Sequence, residues 1–386
     1  MLRKVLVGLG VLLAALVVVG VGLTGASAIL RGQPRELSAP TGPHAVGRIE
    51  LTLNDTGRVD PLATDGRTRE IAVWIWYPTA SQSAAATAPY LPAGWADAVD
   101  EAAGLFSIFD QDRHVVETNS LADAPLVGDP PVVVLLPGLG RAVPDYSALA
   151  EDLASRGYAV VGINMTGSSI VGFPDGHVAN ATAAGGIDPS LLSDVDAWYL
   201  DANRVIGVWV QDVAFVTSAL AESPPSIGPL DFSRVAYVGH SLGGAASFER
   251  CSQDEACAGA VDLDGTLFSD VRQTGMDAPG LVIRAEQGPS GEFATRAAAD
   301  FAHIADAGPV RILTLGGSTH NNFTDDGLLY GPLTGLVGNL GSIDAQRSVA
   351  VTRDVVGVFL DEVLKGAPPA SLDATISGYP ELVGEP

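Results

Sequence analysis

From Pro130 onward, short unbroken apolar runs alternate with longer stretches of helical spacing, and no other feature restricts the possible folds as strongly. The runs are Val132 to Leu136, Ala159 to Asn164, Val235 to Val238, Ala258 to Leu263, Gly280 to Arg284 and Val310 to Leu315. A strand apolar on both faces has no side to offer to water, so helices must cover it above and below, as in a parallel sheet. The intervening segments supply those helices. Asp145 to Arg156 has helical periodicity and stops at Gly157, a residue suited to the left-handed turn that ends a helix. Val195 to Glu222 and Ile343 to Lys365 read as longer helices. The pattern predicts an α/β protein built on a doubly wound, mostly parallel sheet.

Before Pro130, Val46 to Leu53 alternates in polarity and Arg69 to Tyr77 is β-branched and aromatic, so both read as strands. Residues 165 to 194 are rich in Gly, Ser, Thr and Asn and fit neither element. A loop of that length inside a folded domain is usually functional, and its place between strand and helix suits a small cap. The expected organisation is a domain over residues 46 to 366, a polar, proline-bearing linker at 32 to 45 and a tail at 367 to 386.

Residues 1 to 31 open with Arg3 and Lys4 and then run from Val5 to Leu30 without a charge. That run is long enough to span a bilayer, yet Ala26-Ser27-Ala28 is an A-x-A-like cleavage site. An anchor held in the membrane by residues 5 to 30 and a cleaved signal peptide both fit, and both place the rest of the chain outside the cytoplasm. Cys251 and Cys257, the only cysteines, have five residues between them and in an oxidising compartment would pair as a disulfide. Lys plus Arg number 21 against 45 Asp plus Glu, so 21 − 45 gives a net charge of −24. Such a charge repels phosphate backbones and excludes nucleic acid as a natural partner.

Gly239-His240-Ser241-Leu242-Gly243 matches G-x-S-x-G and lies between the run Val235 to Val238 and a small-residue helix start, Gly244-Ala245-Ala246. This is the strand-to-helix elbow of the α/β-hydrolase fold: the turn forces the serine into a strained conformation, and glycines on either side avoid the clashes. Ser241 is therefore the candidate nucleophile. Its tetrahedral oxyanion needs backbone donors, for which the N–H of Leu242 and that of Leu139 in Pro137-Gly138-Leu139-Gly140 are placed. His320, after the last run, hangs where the base is expected, and His240 should pack beneath the elbow. The chain order of this fold puts the acid between Ser241 and His320. Asp264 and Glu286 both follow apolar runs there, while Asp262 should point the opposite way on an alternating strand.

Several motifs together resemble the lipoprotein-associated type of platelet-activating-factor acetylhydrolase and related bacterial dienelactone-hydrolase and cutinase-like esterases. They are Pro-Gly-Leu-Gly at 137 to 140, Tyr146-Ser147-Ala148 leading into Asp152 to Gly157, Gly-His-Ser-Leu-Gly-Gly at 239 to 244, Leu263-Asp264, and Ser318 to Asp325. The resemblance covers roughly residues 70 to 365. It implies that Asp264 is the acid and that Leu139 donates to the oxyanion, whereas resemblance to polyester hydrolases would put the acid on Glu286. Pro137 stands where the family usually has histidine, and the cap region is short relative to the mammalian members. The implied activity is cofactor-free and metal-free hydrolysis of small-molecule or lipid carboxylic esters, with short acyl or phospholipid sn-2-type substrates. A cutinase-like or polyester hydrolase is the rival within the fold, and a non-catalytic surface protein the rival outside it.

Overall fold

The computed structural model describes residues 25–26, 29–80, 85–104, 107, 110–329 and 340–384. Ten strands form one sheet: Ala45–Val59 (β1), Thr68–Thr79 (β2), Ser120–Ala122 (β3), Val132–Leu136 (β4), Ala159–Ile163 (β5), Val235–His240 (β6), Cys257–Leu263 (β7), Gly280–Gln287 (β8), Val310–Thr319 (β9) and Leu382–Gly384 (β10). Their spatial order is β10-β9-β8-β7-β6-β4-β5-β2-β1-β3. The block from β9 to β5 is parallel throughout, while β2 joins it antiparallel to β5 and β10 antiparallel to β9. Each apolar run of the sequence is thus a strand of the parallel block.

Alternation along the strands divides the core in two. Val133 and Leu135 of β4 pack on one face with Ser147–Ser155 (α2) and Ala345–Lys365 (α6). Val132, Val134 and Leu136 pack on the other face with Val195–Glu222 (α3), Leu242–Ser252 (α4) and Gly291–Ala307 (α5). Helix α3 is long and apolar enough by composition to cross a membrane, but more than half of its apolar window is buried, with Val205, Ile206 and Trp209 against the sheet. It is a core helix. A further helix, Ala93–Ala103 (α1), lies before β3 in a stretch that shows no marked periodicity in the sequence.

Two segments expected to lie outside the domain belong to it. Residues 32 to 45 are docked along its surface rather than linking to it. Arg35 pairs with Val116, Leu37 is buried, the Thr41 N–H donates to Asp152 at 2.8 Å and the His44 N–H donates to Ser155 O at 3.1 Å. The residues 367 to 386, read as a tail, contain Ala370–Ser377 (α7) and β10, which closes the edge of β9. Glu381 fixes this return, accepting from the Gly316 N–H through its carbonyl at 2.7 Å and from Arg347 through its side chain at 2.8 Å. The physical reason is the same in both cases: an exposed sheet edge or helix flank offers unpaired backbone groups that short polar segments can satisfy.

Cys251 at the end of α4 and Cys257 at the start of β7 are disulfide-bonded, with Cα atoms 5.3 Å apart. Of the segment expected to be a signal peptide or membrane anchor, residues 1 to 24 and 27 to 28 lie outside the described residues.

Candidate active site

The sheet register builds the site. His240, the last residue of β6, pairs with Leu263, the last of β7, so the next residues, Ser241 and Asp264, emerge side by side at the carboxyl edge. The Ser241 N–H donates to Leu263 O at 2.9 Å, and the Asp264 N–H to Ile283 O of β8 at 2.8 Å. Both residues then leave the sheet with a left-handed backbone, φ being 57° at Ser241 and 54° at Asp264. Only Asp123 shares this feature among the described non-glycine residues, so strain is concentrated at the site. Glycine is required beside them: a Cβ on Gly239 or Gly243 would overlap neighbouring backbone, and one on Gly244 or Gly265 would overlap the Asp262 carboxylate.

His320 opens a short 3-10 turn after β9. Its Nδ1 lies 2.6 Å from Asp264 Oδ2, while Asp264 Oδ1 accepts the Ala285 N–H at 2.7 Å. Glu286, the alternative acid, turns elsewhere and accepts the Gly317 N–H at 2.8 Å. Asp262 is fully buried with Oδ1 accepting the Gly265 N–H at 2.7 Å, and burial pushes its carboxyl well above the usual carboxylate range. The turn carrying His320 is stapled from below. Asn322 Oδ1 accepts the Thr319 N–H at 2.8 Å and the Gly341 N–H at 2.9 Å, and Arg141 bridges Asn321 at 3.1 Å and Asp326 at 2.9 Å.

On the other side of Ser241, the loop after β4 presents Leu139. Its neighbours are occupied: the Gly138 N–H donates to the Tyr146 hydroxyl at 2.9 Å and the Gly140 N–H to Ser168 O at 3.2 Å. The Leu139 N–H has no partner among the described residues, nor has that of Leu242, the first residue of α4, which no earlier helical turn can satisfy.

Ser241, Leu242, Asp264, His320 and Leu139 line one cleft of about 350 Å³. Its remaining walls are largely apolar and aromatic, with Ile187, Trp198, Phe268, Pro289 and Phe301, and Arg284 and Gln287 add polar groups. All the expected site residues except Glu286 therefore meet in one place. From the segment 165 to 194 only Ile187 lines this cleft, and Ser168 supports the loop bearing Leu139. His177, which could have touched substrate from that segment, instead stacks on Phe173 at 4.1 Å and is held by Asp175 and Glu70.

Sequence reasoning missed Trp198, Phe268 and Phe301, whose helical or loop settings gave no sign that they face a cleft. It also missed Tyr146, which stood within a quoted motif without a role. His240 does pack beneath the elbow: it is buried, its Nδ1 is 2.8 Å from the Tyr146 hydroxyl oxygen, and its Nε2 is 3.0 Å from the His320 carbonyl.

The family model described as platelet-activating factor acetylhydrolase, isoform II, matches residues 226–368, a span holding Ser241, Asp264 and His320. Among curated proteins, a probable 1-alkyl-2-acetylglycerophosphocholine esterase of Arthroderma benhamiae is 25% identical over 256 residues, 62% of this chain and 61% of its own. The platelet-activating factor acetylhydrolase of Cavia porcellus is 24% identical over 259 residues, 61% of this chain and 57% of its own. The chain thus spans less than two thirds of the length of these relatives. A solved ferulic acid esterase from Streptomyces cinnamoneus superimposes with a TM-score of 0.77 at 30% identity, over 92% of this chain and 100% of that one.

Proposed function

The chain belongs to the esterases of the α/β-hydrolase fold related to platelet-activating-factor acetylhydrolase isoform II, and on that premise we propose that it hydrolyses carboxylic esters through Ser241, His320 and Asp264. The observation that carries the reading is the 2.6 Å contact of His320 Nδ1 with Asp264 Oδ2 in the cleft that also exposes the strained Ser241. With Asp264 accepting from Nδ1–H, the imidazole keeps its lone pair on Nε2, the tautomer a base must have. Ser241 Oγ adds to the ester carbonyl while His320 Nε2 takes its proton, and the oxyanion forms against the N–H groups of Leu139 and Leu242. The imidazolium then protonates the leaving alcohol. Water repeats the sequence on the acyl-enzyme and frees the acid.

The apolar walls favour an uncharged acyl group, in keeping with short-acyl or phospholipid sn-2-type esters. Exposure gives weight to a second reading, bulky or polymeric esters: the His320 side chain is 46% exposed, so a large substrate can reach it. Export from the cytoplasm, with the N-terminal segment in or through the membrane, completes the proposal and is supported by the disulfide. Ser241→Ala should lower hydrolysis of short p-nitrophenyl esters by roughly 10⁴-fold or more with little change in melting temperature. Activity within about tenfold of wild type would overturn the serine mechanism. Comparing acetyl to decanoyl esters, an aryl ester and an insoluble polyester separates the substrate readings.

A further inference from the structure

We propose that Tyr146 and His240 are positioning residues for ester cleavage, joined in a directional hydrogen-bond chain that fixes the oxyanion loop, the elbow and the base relative to one another. The inference rests on the assignment of Ser241, His320 and Leu139 made above. The chain runs from the Gly138 N–H to the Tyr146 hydroxyl (2.9 Å), from that hydroxyl to His240 Nδ1 (2.8 Å), and from His240 Nε2 to the His320 carbonyl (3.0 Å).

Each proton follows from its neighbours. A backbone N–H can only donate, so Tyr146 accepts from Gly138 and its own hydrogen is directed to His240 Nδ1. A carbonyl can only accept, so the nitrogen facing His320 O carries a hydrogen. His240 is therefore a neutral imidazole protonated on Nε2. A cationic ring would donate from both nitrogens and leave the buried Tyr146 hydroxyl hydrogen without an acceptor in this chain. Burial, with the charge of His320 and Arg141 nearby, also holds His240 well below its ordinary range.

The four linked groups come from four separate segments: the loop after β4, the turn before α2, the end of β6 and the turn after β9. Arg141 and Asp325 also tie the loop after β4 and the turn before α2 to the turn after β9, and the His240 side chain brings the end of β6 into the same set. Contact is close as well, since a Cβ on Gly138 would lie 3.0 Å from His240 Nδ1 and 3.2 Å from Ser241 Cβ. Cutting the chain should let the Leu139 amide and the His320 ring drift from the geometry the transition state needs. That loss falls on turnover rather than on substrate binding.

The test is kcat and KM on a short p-nitrophenyl ester for full-length Tyr146→Phe, His240→Gln, His240→Leu and the double variant Tyr146→Phe/His240→Leu, with Ser241→Ala alongside. Tyr146→Phe should lower kcat roughly 10- to 100-fold with KM within about twofold. His240→Gln, whose amide can still donate to the His320 carbonyl, should keep several-fold more kcat than His240→Leu. The double variant should be no slower than His240→Leu alone, within about twofold, because the chain is already cut. In ¹⁵N-labelled wild type, His240 should show a protonated Nε2 and a bare Nδ1, a readout independent of whether any variant folds. A ring protonated on Nδ1, or a folded Tyr146→Phe with wild-type kcat, overturns the proposal. An active Ser241→Ala would instead remove the underlying assignment, and inactive Ser241→Ala beside unaffected Tyr146→Phe would remove this inference alone.

Discussion

Asp262 and Asp264 stand two residues apart at the end of one strand, yet they face different surroundings. Asp264 leaves the sheet with φ of 54°, reaches His320 and accepts the Ala285 N–H. Asp264→Asn should therefore lose roughly 10⁴ in kcat, because the amide no longer fixes the working tautomer of His320. Glu286→Gln, which loses only a charged acceptor for the Gly317 N–H, should stay within about tenfold of wild type. Steady-state kinetics on variants with native circular dichroism checks both. Asp262 is buried beneath the elbow, its Oδ2 without a hydrogen-bond partner among the described residues, and burial raises its carboxyl well above the ordinary range. The native form thus keeps a proton that the unfolded chain releases near pH 4, so stability falls as pH rises from there toward the native value. Asp262→Asn cannot ionise and should be more stable than wild type at pH 7. The gain should vanish at pH 3, and urea denaturation at the two pH values measures it. The sequence could nominate Ser241, His320 and the two competing acids, since chain order and strand ends are local features. The residue pattern alone could not choose between Asp264 and Glu286, a choice that only the resemblance made for Asp264, because it depends on how far the turn after β9 reaches back across β8. The hydrogen-bond partners of Tyr146 and His240 were hidden for the same reason: they are separated by 94 and 80 residues and meet only in the folded chain.

Among the elements, those buried on both faces could be read from the sequence almost to the residue. Val132–Leu136 and Val195–Glu222 have the bounds their apolar patterns indicate, because nothing but burial explains such runs. The extensions beyond the expected ends of β6, β8 and β9 carry the polar and glycine residues of the site, which the pattern excludes by construction. Edge elements were illegible. Leu382–Gly384 is too short to show a period, and Ser120–Ala122 pairs with β1 through backbone groups that leave no mark on side-chain type. The disulfide belongs to this scale because it spans the turn from α4 to β7, opposite the end of α4 that bears Ser241. Reduction should cost about 2 kcal/mol of stability by the loop-entropy model. Turnover should change less than about twofold, since the carboxyl edge of the sheet is held by separate bonds. Chemical denaturation and initial rates with and without reductant test the pair of statements.

At the scale of the whole molecule, charge and architecture divide the work. A net charge of −24 keeps the surface strongly hydrated and disfavours polyanions, while the cleft at Ser241 is walled mainly by apolar side chains. The parallel block brings Ser241, Asp264 and His320 to its carboxyl edge from three separate strand ends, and the loop after β4 brings Leu139 to the same cleft. One sheet edge thus assembles the proposed nucleophile, acid, base and oxyanion donors, with the legible strands at its centre and the illegible returns at its flanks. The central claim is that a covalent acyl-enzyme forms on Ser241, and trapping tests it directly. Intact-mass and peptide mass spectrometry after reaction with a fluorophosphonate should find one adduct per chain, on the peptide containing Ser241, with activity lost in step with labelling. Adduct on another residue, or an unlabelled protein that hydrolyses esters at full rate, would contradict the account.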